Sequence, residues 1–152
     1  MTHDPAHASG VRRLLRQLRI VENSGYLLHS QLPVTLASAQ EPEPDLAIVR
    51  GREEDYQLRH PGPQDIAAIM EVADSSLTFD RTTKLRLYAG ANIPTYWIVN
   101  LVDYQVEVYR DPQAAQSLYV SHTDYRAGQA LTLKLGAGPD FTIAVTELLP
   151  NR

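Results

Sequence analysis

The chain has 152 residues, of which 43% are hydrophobic and 21% are charged, and its net charge is −4. This composition is typical of a globular protein, and no apolar run approaches the roughly 20 residues that a membrane-spanning helix needs. Because the chain has no cysteine, disulfides and thiolate metal sites are excluded, so any metal would be held by oxygen or imidazole ligands. We expect a cytoplasmic protein with no membrane contact.

The acidic balance also limits the class of partner. Proteins that coat nucleic acid usually have a basic excess, because their affinity comes from releasing counterions at the phosphates. Here 18 acidic residues outnumber 14 basic ones, which argues against such coating. It does not exclude an enzyme that touches nucleic acid locally, because a local basic strip is enough to guide a substrate.

The N-terminal part predicts one helix and two short strands. Residues 1–5 are expected to be disordered, and residues 6–150 to form a single domain. Residues 6–18 predict an amphipathic helix, because the apolar residues recur on one face: Val11, Leu14, Leu15 and Leu18. Arginines occupy the rest of this helix, either as a solvated face or as a strip that steers phosphates. Residues 25–29 and 33–36 have the apolar content of short strands.

The middle of the chain predicts two buried strands and a helix. Residues 45–49 and 66–72 are apolar runs, and the second is nearly continuous, as in strands buried on both faces. A charged loop over residues 51–64 separates them. After a turn at residues 74–76, Ser76 or Thr78 can cap a helix over residues 80–91, whose Leu85, Leu87 and Tyr88 face inward.

The C-terminal part is predicted to be mainly antiparallel. Residues 95–100 and 104–110 form a hairpin, residues 117–124 and 130–135 extend it through a turn at 127–129, and residues 142–149 form a short helix or strand. Together these elements indicate an α/β fold, a mixed α+β sheet flanked by helices. The helix over residues 80–91 is the crossover of one βαβ unit, which should be right-handed.

Two acids interrupt the apolar strands of the middle region. Asp45 opens the first strand, Glu71 closes the second, and Lys84 follows on the predicted helix. Burying a carboxylate among apolar side chains is costly unless it gains a metal or hydrogen-bond partners. Two such acids and a lysine could hold a divalent cation next to a phosphate, which predicts a nuclease.

Each of these residues also has a structural alternative. Asp45 could bond to backbone at the start of its strand, Glu71 could be an acid at a solvated edge, and Lys84 could pair with Asp80 one helical turn away. The histidines lack paired metal spacing, although His7 could enter the cleft from the first helix.

Other residues that resemble functional groups have simpler roles. No histidine stands near Ser75 and Ser76, and no nucleophile-elbow motif is present, so turn chemistry explains them. Tyr96 and Trp97 are interpreted as core and sheet packing rather than as a platform for stacking bases.

An ordered series of short motifs resembles a known family. The series consists of Glu43-Pro44-Asp45-Leu46, Met70-Glu71-Val72 with Asp74-Ser75-Ser76, Asp80-Arg81-Thr82-Thr83-Lys84 with Tyr88-Ala89, and Ile93-Pro94-Thr95-Tyr96-Trp97-Ile98-Val99. It is similar to the Uma-two family of restriction-endonuclease-like proteins, within the PD-(D/E)XK nuclease superfamily, from about His7 to Leu149. The resemblance implies a mixed sheet flanked by helices and a divalent-metal site of two acids and a lysine.

The resemblance assigns a role to each matching position. Asp45 corresponds to the first acid and Glu71 to the second, and a backbone carbonyl near Val72 would be a further metal ligand. The superfamily's usual lysine, two residues after the second acid, is here Ala73, and the Uma-two pattern places the lysine at Lys84 on the following helix.

These roles imply a nuclease that uses Mg²⁺ or Mn²⁺, with DNA as the expected nucleic-acid substrate. A homodimer is expected by analogy, since two sites suit the cutting of two strands. The alternative, which the acidic pI of about 5.7 supports, is a nuclease-fold module that binds nucleic acid or protein with little turnover. A purely structural partner protein would bind neither metal nor nucleic acid.

Overall fold

The centre of the protein is a six-stranded mixed sheet in which the strands follow one another in chain order. The computed structural model describes residues 4–36, 40–136 and 138–152. The strands of the sheet are β1 (Tyr26–His29), β2 (Leu46–Arg50), β3 (Ile66–Ala73), β4 (Thr95–Asn100), β5 (Gln105–Gln113) and β6 (Leu118–Arg126). A separate antiparallel ribbon consists of β7 (Ala130–Leu133) and β8 (Phe141–Ala144). The predicted mixed α+β fold is confirmed.

Strands β3 and β4 form the parallel pair of the sheet, and the other neighbouring strands are antiparallel. The connection between β3 and β4 is the helix α2 (residues 77–90), as the predicted βαβ unit requires. Every residue of β3 and β4 is buried, which explains the continuous apolar run in the sequence. The predicted hairpin of β4 and β5 is also confirmed.

The two faces of the sheet are covered by different elements. The helix α1 (Pro5–Leu18) packs its apolar side against one face, where Leu14 and Leu18 contact the same core as Met70 of β3. Ribbon β7–β8 joins this layer. Helix α2 packs on the opposite face, where Tyr88 and Ala89 are fully buried. The sheet therefore lies between two layers.

Helix α2 is longer than predicted and contains a π-helical turn. Its α-helical start Leu77–Phe79 is followed by a π-helical segment Asp80–Lys84 and by the α-helical end Leu85–Gly90. The predicted side-chain cap by Ser76 or Thr78 is wrong, because Ser76 Oγ instead donates a hydrogen bond of 2.8 Å to Asp80 Oδ2. Segments of π-helix are rare and frequently lie at functional sites.

The N-terminal elements differ from prediction in two places. Helix α1 begins at Pro5, with Asp4 as its cap, because proline suits the first helical turn and Asp4 Oδ1 accepts the His7 N–H at 2.7 Å. Residues 1–3 of the predicted disordered segment lie outside the described residues. The strand predicted at residues 33–36 is wrong. The N–H groups of Val34 and Thr35 bond to the carbonyls of Pro42 and Pro61, and prolines cannot donate in return to build a ladder.

The C-terminal strands are also partnered differently from prediction. Strand β6 extends the sheet by pairing with β5, as expected, but β7 leaves the sheet and pairs with β8. Residues 142–149 contain both predicted alternatives in sequence, the end of β8 followed by the 3₁₀ turn Val145–Glu147. Within the described part of the chain, no helix has the length and apolar character to cross a membrane.

Candidate active site

The antiparallel pairing of β2 and β3 brings the two predicted acids together. Leu46 at the start of β2 pairs with Met70 near the end of β3, which places the preceding Asp45 beside Glu71. Each acid accepts a backbone N–H near the other: Val72 N–H donates to Asp45 Oδ2 at 2.8 Å, and Asp45 N–H donates to Glu71 Oε1 at 3.1 Å. Asp45 is 7% exposed and Glu71 1% exposed.

Helix α2 brings Lys84 to the same place. Lys84 Nζ lies 3.0 Å from Glu71 Oε2, and Tyr88 OH donates a 2.7 Å hydrogen bond to that oxygen. The structural alternative for Lys84 is present as well, because its ammonium lies 3.5 Å from Asp80 Oδ1. Lys84 therefore bridges two buried carboxylates, and its helix partner Asp80 holds it beside Glu71.

Burial and neighbouring charges shift the pKa values of these groups. Burial raises the pKa of Glu71 from 4.5 to about 7, and the Asp45 charge adds to this, while the Lys84 charge and the Tyr88 hydrogen bond oppose it. Burial likewise raises the pKa of Asp80. Burial alone would lower the pKa of Lys84, but the charges of Glu71 and Asp80 raise it above its ordinary value. Lys84 is therefore a cation at neutral pH.

The backbone N–H and C=O of Val72 face the side of β3 on which Asp45 lies. In a strand, the N–H and C=O of one residue point towards the same neighbour. Ala73 C=O accepts a 2.8 Å hydrogen bond from Leu101 N–H on the β4 side, so Val72 points to the β2 side, where its N–H meets Asp45. The Val72 carbonyl is thus directed towards β2, the side on which Asp45 meets Glu71.

These groups open into a pocket of about 580 Å³. Its lining is strongly acidic and contains the carboxyl groups of Asp4, Glu43, Asp45, Glu71, Asp74 and Asp80. Lys84 and His7 also line it, and His7 Nε2 lies 3.1 Å from Asp45 Oδ2. His7 therefore enters the cleft, which the sequence offered as one alternative.

Several other residues have the structural roles that the sequence predicted. Tyr96 and Trp97 are fully buried, so neither offers a surface to a base. Tyr88 was expected only to pack inward, and its hydroxyl bond to Glu71 was missed. The signal for it is the helical spacing, because Tyr88 stands four residues after Lys84 and so shares its face of the helix.

A second group with metal-binding atoms lies further along the sheet. Glu107, His122 and Asp124 place ligand atoms within 4.8 Å of one another. However, Glu107 already accepts hydrogen bonds from Arg81, Asn100, Gln105 and Tyr109. The adjacent guanidinium would repel a cation, so this group fits a metal less well than the Asp45 and Glu71 pair. The sequence spacing of the histidines gave no sign of it.

Comparison with known proteins identifies a family and a similar solved structure. The Uma2 family model, described as "Putative restriction endonuclease", matches residues 1–146. The chain is also similar to a crystal structure described as a "putative nuclease belonging to DUF820" from Anabaena variabilis ATCC 29413. The TM-score is 0.68 at 12% identity, with 97% of this chain and 82% of that chain covered; at this identity the likeness shows the fold alone. Among curated proteins, none matches the chain.

Proposed function

Because this chain belongs to the Uma2 family, we propose that it is a nuclease that hydrolyses phosphodiester bonds of DNA with the help of Mg²⁺ or Mn²⁺. The observation that supports this most strongly is the trio of Asp45, Glu71 and Lys84. Two buried acids and a half-buried lysine from separate parts of the chain meet at one pocket.

The donor set of the pocket fits a hard divalent cation. Mg²⁺ and Mn²⁺ favour oxygen ligands, and Mg²⁺ typically uses one or two carboxylates together with water and phosphate oxygens. The hydrogen bonds described for Asp45 engage Oδ2 and leave Oδ1 for a cation. Glu71 Oε1 and the Val72 backbone both face Asp45, so Asp45, Glu71 and the Val72 carbonyl would be the protein ligands.

The charge of the pocket supports a need for that cation. Six carboxyl groups line it, against Lys84 and His7. A phosphodiester that approached this lining without a bound cation would meet net repulsion. When bound, the cation would supply Lewis acidity towards the attacking water and the scissile phosphate.

The chain's own residues would bind and orient the reacting groups. Lys84, a cation at neutral pH, would donate to the phosphate oxygens where negative charge grows, which is a common source of transition-state stabilisation. Glu71 would hold Lys84 in place through the 3.0 Å contact. Tyr88, whose pKa is raised by burial, stays a neutral donor that fixes the Glu71 carboxylate.

The proposal is tested by incubating the protein with plasmid, linear and single-stranded DNA, with and without Mg²⁺ or Mn²⁺. We expect cleavage that needs the ion and is lost in Asp45→Ala, while the exposed acid variant Asp140→Ala cleaves normally. Metal binding without cleavage of any substrate would favour the binding module instead. Cleavage that persists in Asp45→Ala would refute the assigned site.

A further inference from the structure

Two buried acids lie in line across the sheet under helix α2. Glu71 of β3 pairs with Ile98 of β4, and Ile98 pairs with Glu107 of β5. Residues that pair directly across neighbouring strands point to the same face. Glu71 and Glu107 therefore share one face, two strands and about 10 Å apart, and both are buried, at 1% and 0% exposure.

One π-helical segment supplies a cation to each acid. Lys84 lies 3.0 Å from Glu71. The Arg81 guanidinium donates to the Glu107 carboxylate. Arg81 Nε lies 3.1 and 3.2 Å from the two carboxylate oxygens, and Arg81 Nη2 lies 2.5 Å from Glu107 Oε2. Arg81 and Glu107 do not line the active-site pocket. Two ion pairs thus hold the segment to the sheet, and of these only the Lys84 pair lies in the candidate site.

The surroundings keep Glu107 ionised and immobile. Burial favours its neutral form, but hydrogen bonds from Arg81, Tyr109, Asn100 and Gln105 lower its pKa to about 2. Glu107 is buried, whereas the Arg81 side chain is 39% exposed and reaches the acid from the helix surface. An ion pair with a buried acid can fix one structural arrangement among several. The position of this pair beneath a rare helical turn points to a geometric role.

Two further hydrogen bonds support the π-helical segment Asp80–Lys84. Tyr96 of β4 inserts its hydroxyl to donate a 2.9 Å hydrogen bond to the Asp80 carbonyl, and Thr82 Oγ1 donates to the Thr78 carbonyl at 2.7 Å. Side chains inserted into the hydrogen-bond ladder are a known cause of irregular helix geometry. Arg81 lies between these two positions in the segment.

We propose that Arg81 and Glu107 are positioning residues, whose ion pair holds the π-helical segment Asp80–Lys84 in the register that presents Lys84 to Glu71. This inference deepens the proposed function and rests on it for its effect on rate. The claim that the Arg81–Glu107 ion pair fixes the position of Lys84 does not depend on any enzymatic activity.

The test uses Glu107→Gln and Arg81→Met, with Arg86→Met as a matched control on the exposed side of the same helix. We expect both test variants to cleave at least about tenfold more slowly per folded molecule, since a displacement of about 1 Å can cost 10²-fold. Mn²⁺ affinity, measured by calorimetry, should stay within about threefold of wild type, because no metal ligand is changed. Arg81→Lys should restore part of the rate.

A crystal structure of Arg81→Met separates this inference from the proposed function. We expect a changed helical register over residues 80–84 and a Lys84 ammonium that no longer contacts Glu71, with faster hydrogen exchange at these amides in both variants. An unchanged π-helical turn with the Lys84–Glu71 contact intact would overturn the inference, and so would wild-type cleavage by Glu107→Gln. If the wild type cleaves nothing, the proposed function fails, and the structure and exchange data still decide the positioning role.

Discussion

Replacing Glu71 with glutamine should change how the folding stability of this protein depends on pH. The pKa of Glu71 is about 7 in the folded protein and 4.5 as its ordinary value. Between these two pH values the folded state keeps a proton that the unfolded state has lost, so the stability of the wild type falls as pH rises. Over about 2.5 pH units, at about 1.36 kcal/mol per unit, the fall amounts to about 3 kcal/mol.

Glutamine cannot ionise, so Glu71→Gln should lack this contribution. We would measure the free energy of unfolding in urea for both proteins at intervals from pH 4.5 to pH 8. The wild type should lose about 3 kcal/mol relative to the variant over this range, whatever constant offset the lost Lys84 contact adds. Profiles that run parallel would refute the reasoning, because they would show that Glu71 ionises in the folded state as it does in the unfolded chain.

Three further predictions concern the lysine, the hydroxyl and the helix packing around the site. Lys84→Ala should cut the cleavage rate about 10²–10³-fold and Lys84→Arg should rescue poorly, while Arg86→Ala, a control on the same helix, should cleave normally in the same kinetic assay. Tyr88→Phe removes a hydrogen bond to Glu71 and should lower the urea unfolding free energy by about 1–3 kcal/mol and raise the Glu71 pKa further in an NMR titration; an unchanged titration would contradict the bond. Gly10→Ala would place a Cβ 2.7 Å from a β3 side chain, so it should lower the melting temperature through about 1–3 kcal/mol of overpacking, and an unchanged melting curve would show that helix α1 can shift freely.

The candidate site was largely predictable because its residues follow local patterns. Glu71 was identified as the acid near the end of the apolar run of β3, and Asp45 as the acid at the start of β2. Antiparallel pairing then brings the two together without further information. The role of Lys84 was assigned through the resemblance, since its spacing alone could not distinguish a partner of Glu71 from a partner of Asp80. The structure gives Lys84 both contacts.

The parts that were missed depend on contacts between distant residues. Glu107 alternates with Val106 and Val108 along β5, a pattern typical of an outward-facing acid, yet helix α2 covers that face and Glu107 is fully buried. The π-helical turn receives hydrogen bonds from Tyr96, 16 residues beyond Asp80, and an ion pair from Glu107, 26 residues beyond Arg81. Helical propensity and periodicity depend on neighbouring residues and do not report such distant contacts, so the sequence predicted a regular helix.

The most direct test of the metal-dependent site is the anomalous diffraction of crystals soaked in Mn²⁺. We predict one peak at the edge of β2 and β3, at about 2.0–2.6 Å from oxygens of Asp45 and Glu71, and no peak there in crystals of Asp45→Asn. A peak at Glu107, His122 and Asp124 instead, or none near Asp45 and Glu71 in the wild type, would contradict the account.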